Sequence, residues 1–291
     1  MTAPSARATP EVRPATAADL PRIAAILAAN EESIEWPGLP GWPSLEHFLA
    51  EHELLVASSG VEVAGFAGIV RPAGPFGPTF LSDLFVDPAA QSRGVGRALL
   101  EVAFAAPGPR ATFASADPRA LPLYIRFGML PRWPNLYLGG RTDALPETPP
   151  ELRVELVGDA SQIATLFRSI RGQDREADAR YWLGLPGGTG VIVRTGSWVA
   201  AVGVARDRRT GPGRWLDRLA IAGGADPLTV IPAVLRAVAP DELVGASLQG
   251  PNPCVALLLR AGFRILDRDT FCSTEPPLLD PMRDVPDPGH F

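Results

Sequence analysis

The sequence contains no lysine; all 27 of its cationic side chains are arginine. Schiff-base chemistry on a lysine amine is thereby excluded, and so is self-acetylation of lysine. Histidine is nearly as scarce, with His47, His52 and His290 scattered along the chain, which argues against a histidine-centred mechanism. The two cysteines, Cys254 and Cys272, are too few for a metal cage and give no sign of an oxidising compartment. No run approaches the ~20 consecutive apolar residues that would cross a bilayer. Met1 to Pro10 lacks the apolar centre of a secretory signal and reads as a loose tail. The expected setting is cytoplasmic, with no membrane partner. A net charge of −5 lacks the basic excess that a nucleic-acid face needs, so no nucleic-acid partner is expected. Chemistry is left to carboxylates, tyrosine, Ser and Thr hydroxyls, backbone amides and water.

What is present is an ordinary soluble composition, 46% hydrophobic and 20% charged, able to bury a core. At 291 residues the chain suits two domains, each within the usual ~50–250. The abundant Ala, Pro and Gly accompany the arginine as coding bias would.

The chain is written twice. Glu11-Val12-Arg13 leads through Asp19 into Ile23-Ala24, and Glu151-Leu152-Arg153 leads through Asp159 into Ile163-Ala164, each position offset by 140. In both copies a short strand precedes an Asp able to cap an amphipathic helix. Leu54 to Ala57, a turn at Ser58-Ser59-Gly60 and Val61 to Val70 predict a hairpin. Val191 to Arg194, a turn at Thr195-Gly196-Ser197 and Trp198 to Ala205 predict its counterpart. Phe80 to Val86 and Trp215 to Ile221 each read as a strand followed by an apolar helix. Tyr124 to Gly128 and Leu258 to Gly262 each read as a helix closing on glycine. Pro146, Pro149 and Pro150 interrupt the stretch between the copies, so the expected domains are 1–145 and 146–291.

One segment carries distinctive chemistry. The strand from Phe80 stops at Asp87-Pro88, and Gln91-Ser92-Arg93-Gly94-Val95-Gly96-Arg97 runs into the apolar helix Ala98 to Phe104. A glycine turn feeding a helix start presents several N–H groups toward one point, with about half a positive charge from the helix dipole. That is an anion site suited to a diphosphate. Glycine at 94 and 96 lets the main chain approach the phosphates without an intervening Cβ. A plain tight turn is the simpler reading of Gly-x-Gly alone. A dinucleotide-binding fingerprint fails, because Leu99 stands where a third glycine is required and seven residues separate Val86 from Gly94.

Taken whole, the pattern is strand, Val-Asp-Pro, Gln-x-x-Gly-x-Gly, helix, strand Ala111 to Ala114, then Asp117-x-x-Ala120-x-x-x-Tyr124-x-x-x-Gly128. It resembles the GCN5-related N-acetyltransferase (GNAT) superfamily, and the resemblance covers Val12 to Tyr137. It implies an α/β (α+β) fold of two tandem GNAT-like domains, each a mixed, mostly antiparallel sheet flanked by helices. It implies acetyl-CoA as cofactor and transfer of its acetyl group directly to a primary amine, small-molecule or peptide. Leu84, Phe85 and Val86 would offer main-chain groups to the pantetheine arm and the thioester carbonyl. Gln91, Ser92, Arg93, Gly94, Val95, Gly96 and Arg97 would hold the diphosphate. Tyr124 would protonate the departing thiolate, and Asp117 stands where the family usually has Asn near the CoA arm. Glu31, Glu32 and Trp36 lie where the family commonly binds the acceptor, though a glutamate run is more often a solvated helix end.

The chemistry agrees with those roles. Attack on a thioester builds negative charge on its oxygen, which a backbone donor stabilises by ~10²–10³ in rate. A tyrosine hydroxyl, protonated at neutral pH, can serve as the acid. The amine must lose a proton, and Asp83, on the strand of the donor amides, is the nearest carboxylate. Plainer readings stand beside these: Tyr124 as a core aromatic, Asp83 as a solvated strand residue. A second class of function keeps the same loop, a non-catalytic acyl-CoA sensor or interaction protein.

The C-terminal copy reads as degenerate and without CoA. Counting from Ile221 as Gly94 lies from Val86 places Thr229 and Ile231 at the glycine positions, with Asp226 repelling any phosphate. Leu258 replaces the tyrosine, while Asn252 keeps a trace of the Asn motif. Pro276 to Phe291, dense in Pro and Asp, reads as an extended strap or partly disordered. Acceptor identity, acyl chain length and oligomeric state are not written in the sequence.

Overall fold

The first strands and helices follow the hydrophobic pattern closely in the computed structural model, which describes residues 10–30, 38–59, 62–71, 78–275 and 278–289. Packing divides the chain into two compact units, one taken from the residues up to Ala111 and the other from Thr112 onward. In the first, β1 (Glu11–Pro14) leads to α1 (Leu20–Ala29) and α2 (Pro43–Glu51). Then come β2 (Glu53–Ser59), β3 (Glu62–Val70), β4 (Thr79–Val86) and α3 (Val95–Ala103). β1 to β4 form an antiparallel meander in chain order.

β3 is buried at every position after Glu62 because helices cover both of its faces. Phe66 packs with Ile23, Ile26 and Leu27 of α1 and Leu45 of α2. Its neighbour Gly65 points the other way, where an added Cβ would lie 2.8 Å from a methyl of Val95 on α3. The β3–β4 register runs Gly65↔Val86, Phe66↔Phe85, Ala67↔Leu84 and Gly68↔Asp83, then slips so that Ile69 faces Leu81. Ser82 is the extra residue of that bulge, and β4 bends there.

β5 (Arg110–Ala114) carries the chain into the second unit, where α4 (Ala120–Arg126) and β6 (Leu130–Arg141) follow. Next are β7 (Leu152–Val157), α5 (Ala160–Arg171), α6 (Glu176–Gly184), β8 (Thr189–Thr195), β9 (Trp198–Asp207) and β10 (Arg214–Ile221). The chain finishes through α7 (Pro227–Val238), β11 (Leu243–Gln249), α8 (Cys254–Arg260), β12 (Arg264–Ser273) and β13 (Asp284–Val285). Across this unit the strands lie β7-β8-β9-β10-β11-β6-β12, with β10 and β11 parallel and the others antiparallel. α7 and α8 cover one face through Val230, Val234 and Leu258, while α5 and α6 cover the other through Phe167 and Trp182.

The order strand, two helices, three strands, helix appears in both units. One element departs from it. β6, which follows the first repeat's α4, lies between β11 and β12 and so completes the sheet of the second repeat. Packing therefore divides at Ala111, whereas the repeat in sequence divides at 145/146.

One expectation changes. Asp19 gives α1 no side-chain cap; its carboxylate instead accepts from the Thr16 amide at 2.8 Å and from both terminal nitrogens of Arg13 at 2.8 Å. Asp159 caps α5 as expected, accepting from the amides of Ser161 and Gln162. The strap is ordered through 278–289, with Leu279 and Val285 buried.

Candidate active site

Chain direction and helix geometry build a candidate anion site between β4 and α3. β4 ends at Val86, Asp87 accepts from the Ala89 amide at 2.8 Å, and a short 3-10 turn spans Pro88–Ala90. The chain then turns with positive φ at Ser92 (61°) and Gly94 (86°), and α3 begins at Val95. A serine in left-handed backbone is uncommon and marks a turn whose shape is imposed. Gly94 is the N-cap and supplies no side-chain cap; its carbonyl takes the first helical bond, from the Ala98 amide at 2.9 Å. The amides of Val95, Gly96 and Arg97 thus face the helix start with no carboxylate or hydroxyl from the cap residue. Ser92, Arg93 and Gly94 are exposed, and a Cβ added at Gly94 would meet nothing within 4 Å. Open space, bare amides and the helix dipole fit an anionic diphosphate.

Several residues that sequence reading passed over hold this loop in place. Asn30, closing α1, donates from Nδ2 to the Val86 carbonyl at 3.2 Å and to the Ile26 carbonyl at 2.8 Å. Arg22 pairs with Asp87 and donates to the Val63 carbonyl at 3.0 Å. The Ala89 amide, then Arg22, hold the Asp87 carboxyl below its usual range. Gly65 lets the end of β4 and the start of α3 close together, since any Cβ there would lie 2.8 Å from the Phe85 carbonyl oxygen as well. A glycine inside an apolar strand was the available signal for close backbone approach.

The structure gathers Asp83, Leu84, Phe85, Val86 and the loop Gln91 to Arg97 within the first unit. Gln91 donates to the Val86 carbonyl at 3.4 Å, and Arg97 is paired with Glu101 at 2.8 Å. Asp83 and Phe85 share the β4 face that looks toward α1 and α2, while Leu84 and Val86 share the face toward α3. The Asp83 carboxylate lies over Gly68, 3.0 Å from where a Cβ would stand, with an edge of Phe48 beside it. Glu31, Glu32 and Trp36 lie outside the described residues.

Tyr124 and Asp117 belong to the second unit. Tyr124 is buried on α4, whose last turn closes through its carbonyl and Gly128 at φ 81°. Asp117 caps the turn into α4 by accepting from the Arg119 amide at 2.8 Å, and Arg119 also pairs with it through its guanidinium. That pair holds the Asp117 carboxyl below its usual range.

The corresponding connection in the second repeat is shorter and carries a side-chain cap. Eight residues separate Val86 from Val95, but only five separate Ile221 from Pro227. Thr229 and Ile231 therefore sit inside α7, not in a loop; counting residues misplaced them because the connection is shorter. Asp226 caps α7, accepting from the Leu228 amide at 3.1 Å and the Thr229 hydroxyl at 2.8 Å. A fixed carboxylate stands where a phosphate would. Leu258 is the fifth residue of α8 as Tyr124 is of α4, and Gly262 closes that helix at φ 87°. Both thiols are buried and pushed up by desolvation, Cys254 to about 12 and Cys272 to about 11, so neither is a thiolate at neutral pH.

Residues 46–128 match the family model of the acetyltransferase (GNAT) domain. A candidate acetyltransferase from Pyrococcus horikoshii superposes with a TM-score of 0.68 at 16% identity, covering 97% of this chain and 96% of that one. A tandem GNAT protein from the clavulanic acid biosynthesis pathway superposes at 0.60 with 17% identity, covering 92% and 99%. A GCN5-related N-acetyltransferase from Anabaena variabilis gives 0.61 at 13% identity, covering 91% and 72%. No curated protein sequence matches the chain. Likeness at these identities establishes the fold. The chain carries a GNAT domain and has the fold of two GNAT-like domains in tandem.

Proposed function

We propose that the protein is a cytoplasmic N-acyltransferase that moves the acetyl group of acetyl-CoA to a primary amine. The observation that carries this reading is the uncapped, glycine-led start of α3 set beside the carboxylate-capped start of α7. Helices of one fold differ at the one point where an anion would bind. The repeats divide the work accordingly: 1–145 holds the cofactor loop, and 146–291 is a degenerate copy without CoA.

Acetyl-CoA supplies an activated thioester, and this chain's residues handle it. The amides of Val95, Gly96 and Arg97, with Gln91, Ser92, Arg93 and Gly94, hold the diphosphate. Main-chain groups of Leu84, Phe85 and Val86 orient the pantetheine arm and stabilise the carbonyl oxygen as charge gathers there. Tyr124 gives its hydroxyl proton to the leaving sulfur. Asp83, on the face toward α1 and α2, accepts the proton of the attacking amine, directly or through water. Transfer is direct, in keeping with thiols that are protonated and buried. Glu31, Glu32 and Trp36 form part of the amine's binding region, and Asp117 shapes the turn that carries Tyr124's helix.

Calorimetric titration with acetyl-CoA, followed by CoA release with a panel of amines, tests the reading. Tyr124→Phe should lower turnover by about 10²-fold with acetyl-CoA affinity unchanged. An equal loss of binding would make the tyrosine structural. Binding without release to any amine would make the protein an acyl-CoA sensor, and absence of binding would end the proposal.

A further inference from the structure

In the second repeat the pairing between β10 and β11 stops early. The two strands run parallel over Arg214↔Val244, Trp215↔Gly245 and Leu216↔Ala246, and no further. At the same point the β9–β10 register slips between Leu216 and Arg218, so Asp217 bulges and β10 bends away. The C-terminal segment enters the opening. β13 pairs antiparallel with β10 through Leu219↔Val285 and Ala220↔Asp284, and the Ile221 amide donates to the Arg283 carbonyl at 2.9 Å. Opposite, Ser247 on β11 donates its hydroxyl to the Pro286 carbonyl at 2.6 Å. One peptide thus bridges both separated strands.

The segment is anchored at each end. Asn252 donates from Nδ2 to the carbonyls of Pro281 and Met282, both at 3.2 Å. Arg171 grips Asp284 at 2.7 Å, the Arg283 carbonyl at 2.9 Å and the Ile221 carbonyl at 3.0 Å. Trp182 donates from Nε1 to Asp287 at 2.9 Å. Charge favours the same occupant: Arg175 is already paired with Asp178 at 3.0 Å, and the segment brings Asp284 and Asp287 into the field of the buried Arg218. Desolvation, then Arg175, pushes the Arg218 guanidinium down to about 9, and those two carboxylates oppose the shift.

β10 corresponds in chain order to β4, which also bulges partway along, at Ser82. We propose that the segment from Pro281 to Asp287 is a built-in occupant of the second repeat's cofactor slot. It takes up the β10 hydrogen bonds that a pantetheine arm would otherwise make and leaves one acyl-CoA site per chain. The comparison of slots rests on the reading of the first repeat given above.

Calorimetry and hydrogen–deuterium exchange on the full chain test the proposal together. The expected result is one acetyl-CoA bound per chain, with peptides covering 215–222 and 280–288 protected equally with and without saturating acetyl-CoA. Arg171→Ala should speed exchange in 280–288 by on the order of 10-fold, and the milder Ser247→Ala should speed it less, with β8 and β9 unchanged. Two acetyl-CoA per chain, exposure of 280–288 by acetyl-CoA, or rapid exchange there in its absence would each overturn it. No acetyl-CoA binding with a protected 280–288 would overturn the first-repeat reading and support the strand wedge.

Discussion

Replacing Gly94 by alanine separates the two duties that this residue combines. The new methyl group meets no atom within 4 Å, so packing is spared, and the left-handed φ of 86° costs about 1–2 kcal/mol. The same methyl stands in the space a phosphate would use. Affinity for acetyl-CoA should therefore fall on the order of 10-fold, equivalent to ~1.4 kcal/mol, while the chain still folds. Calorimetry beside a denaturation curve reads both, and unchanged affinity would show that the diphosphate lies elsewhere. This glycine was legible because a Gly-x-Gly step ahead of an apolar helix is a local signal. Asn30 and Arg22 were not, because each acts on a partner remote in sequence: Val86 and Asp87. Asp19 misled for the opposite reason. A nearby Arg13 competes for a carboxylate that would otherwise cap a helix.

Whole elements show the same division. Hairpins, the strand before each loop and the glycine-closed helices α4 and α8 follow from periodicity and turn residues, and all were expected close to where they stand. The loop after β10 was mispositioned, since residue counting assumes equal lengths and this connection is shorter. Its consequence is measurable. Asp226→Ala removes the cap of α7 and should cost about 0.5–2 kcal/mol in denaturant unfolding. It should not create a second acetyl-CoA site, because the connection stays short and 281–287 still fills the slot. A gain of binding stoichiometry in this variant would contradict both points.

Stability of the molecule as a whole carries a pH signature from the start of the chain. Hydrogen bonds from Arg13, with further help from Thr16, hold the Asp19 carboxyl well below the usual range. A depressed folded value means that the stabilisation is complete above the unfolded value of about 4 and is lost as pH falls below it. Asp19→Asn should lower the unfolding midpoint at pH 7 and leave the variant less sensitive to acid than the parent between pH ~5 and ~2. Parallel acid titrations followed by circular dichroism check this; identical acid limbs would mean that Asp19 does not contribute. No helix among the described residues is long and apolar enough to cross a membrane.

Local order in the chain was enough to specify two copies of one fold and to mark the loop at 91–97 as the candidate anion site. Side-chain periodicity, glycine placement and proline breaks act over a few residues, and a linear reading captures them. Which copy's sheet β6 completes, which strand wedges between β10 and β11, and which carboxylate closes α7 depend on partners far away in sequence. Those choices are made by hydrogen-bond satisfaction and charge compensation in the packed interior, where an unpaired strand edge or a buried guanidinium must find its counterpart.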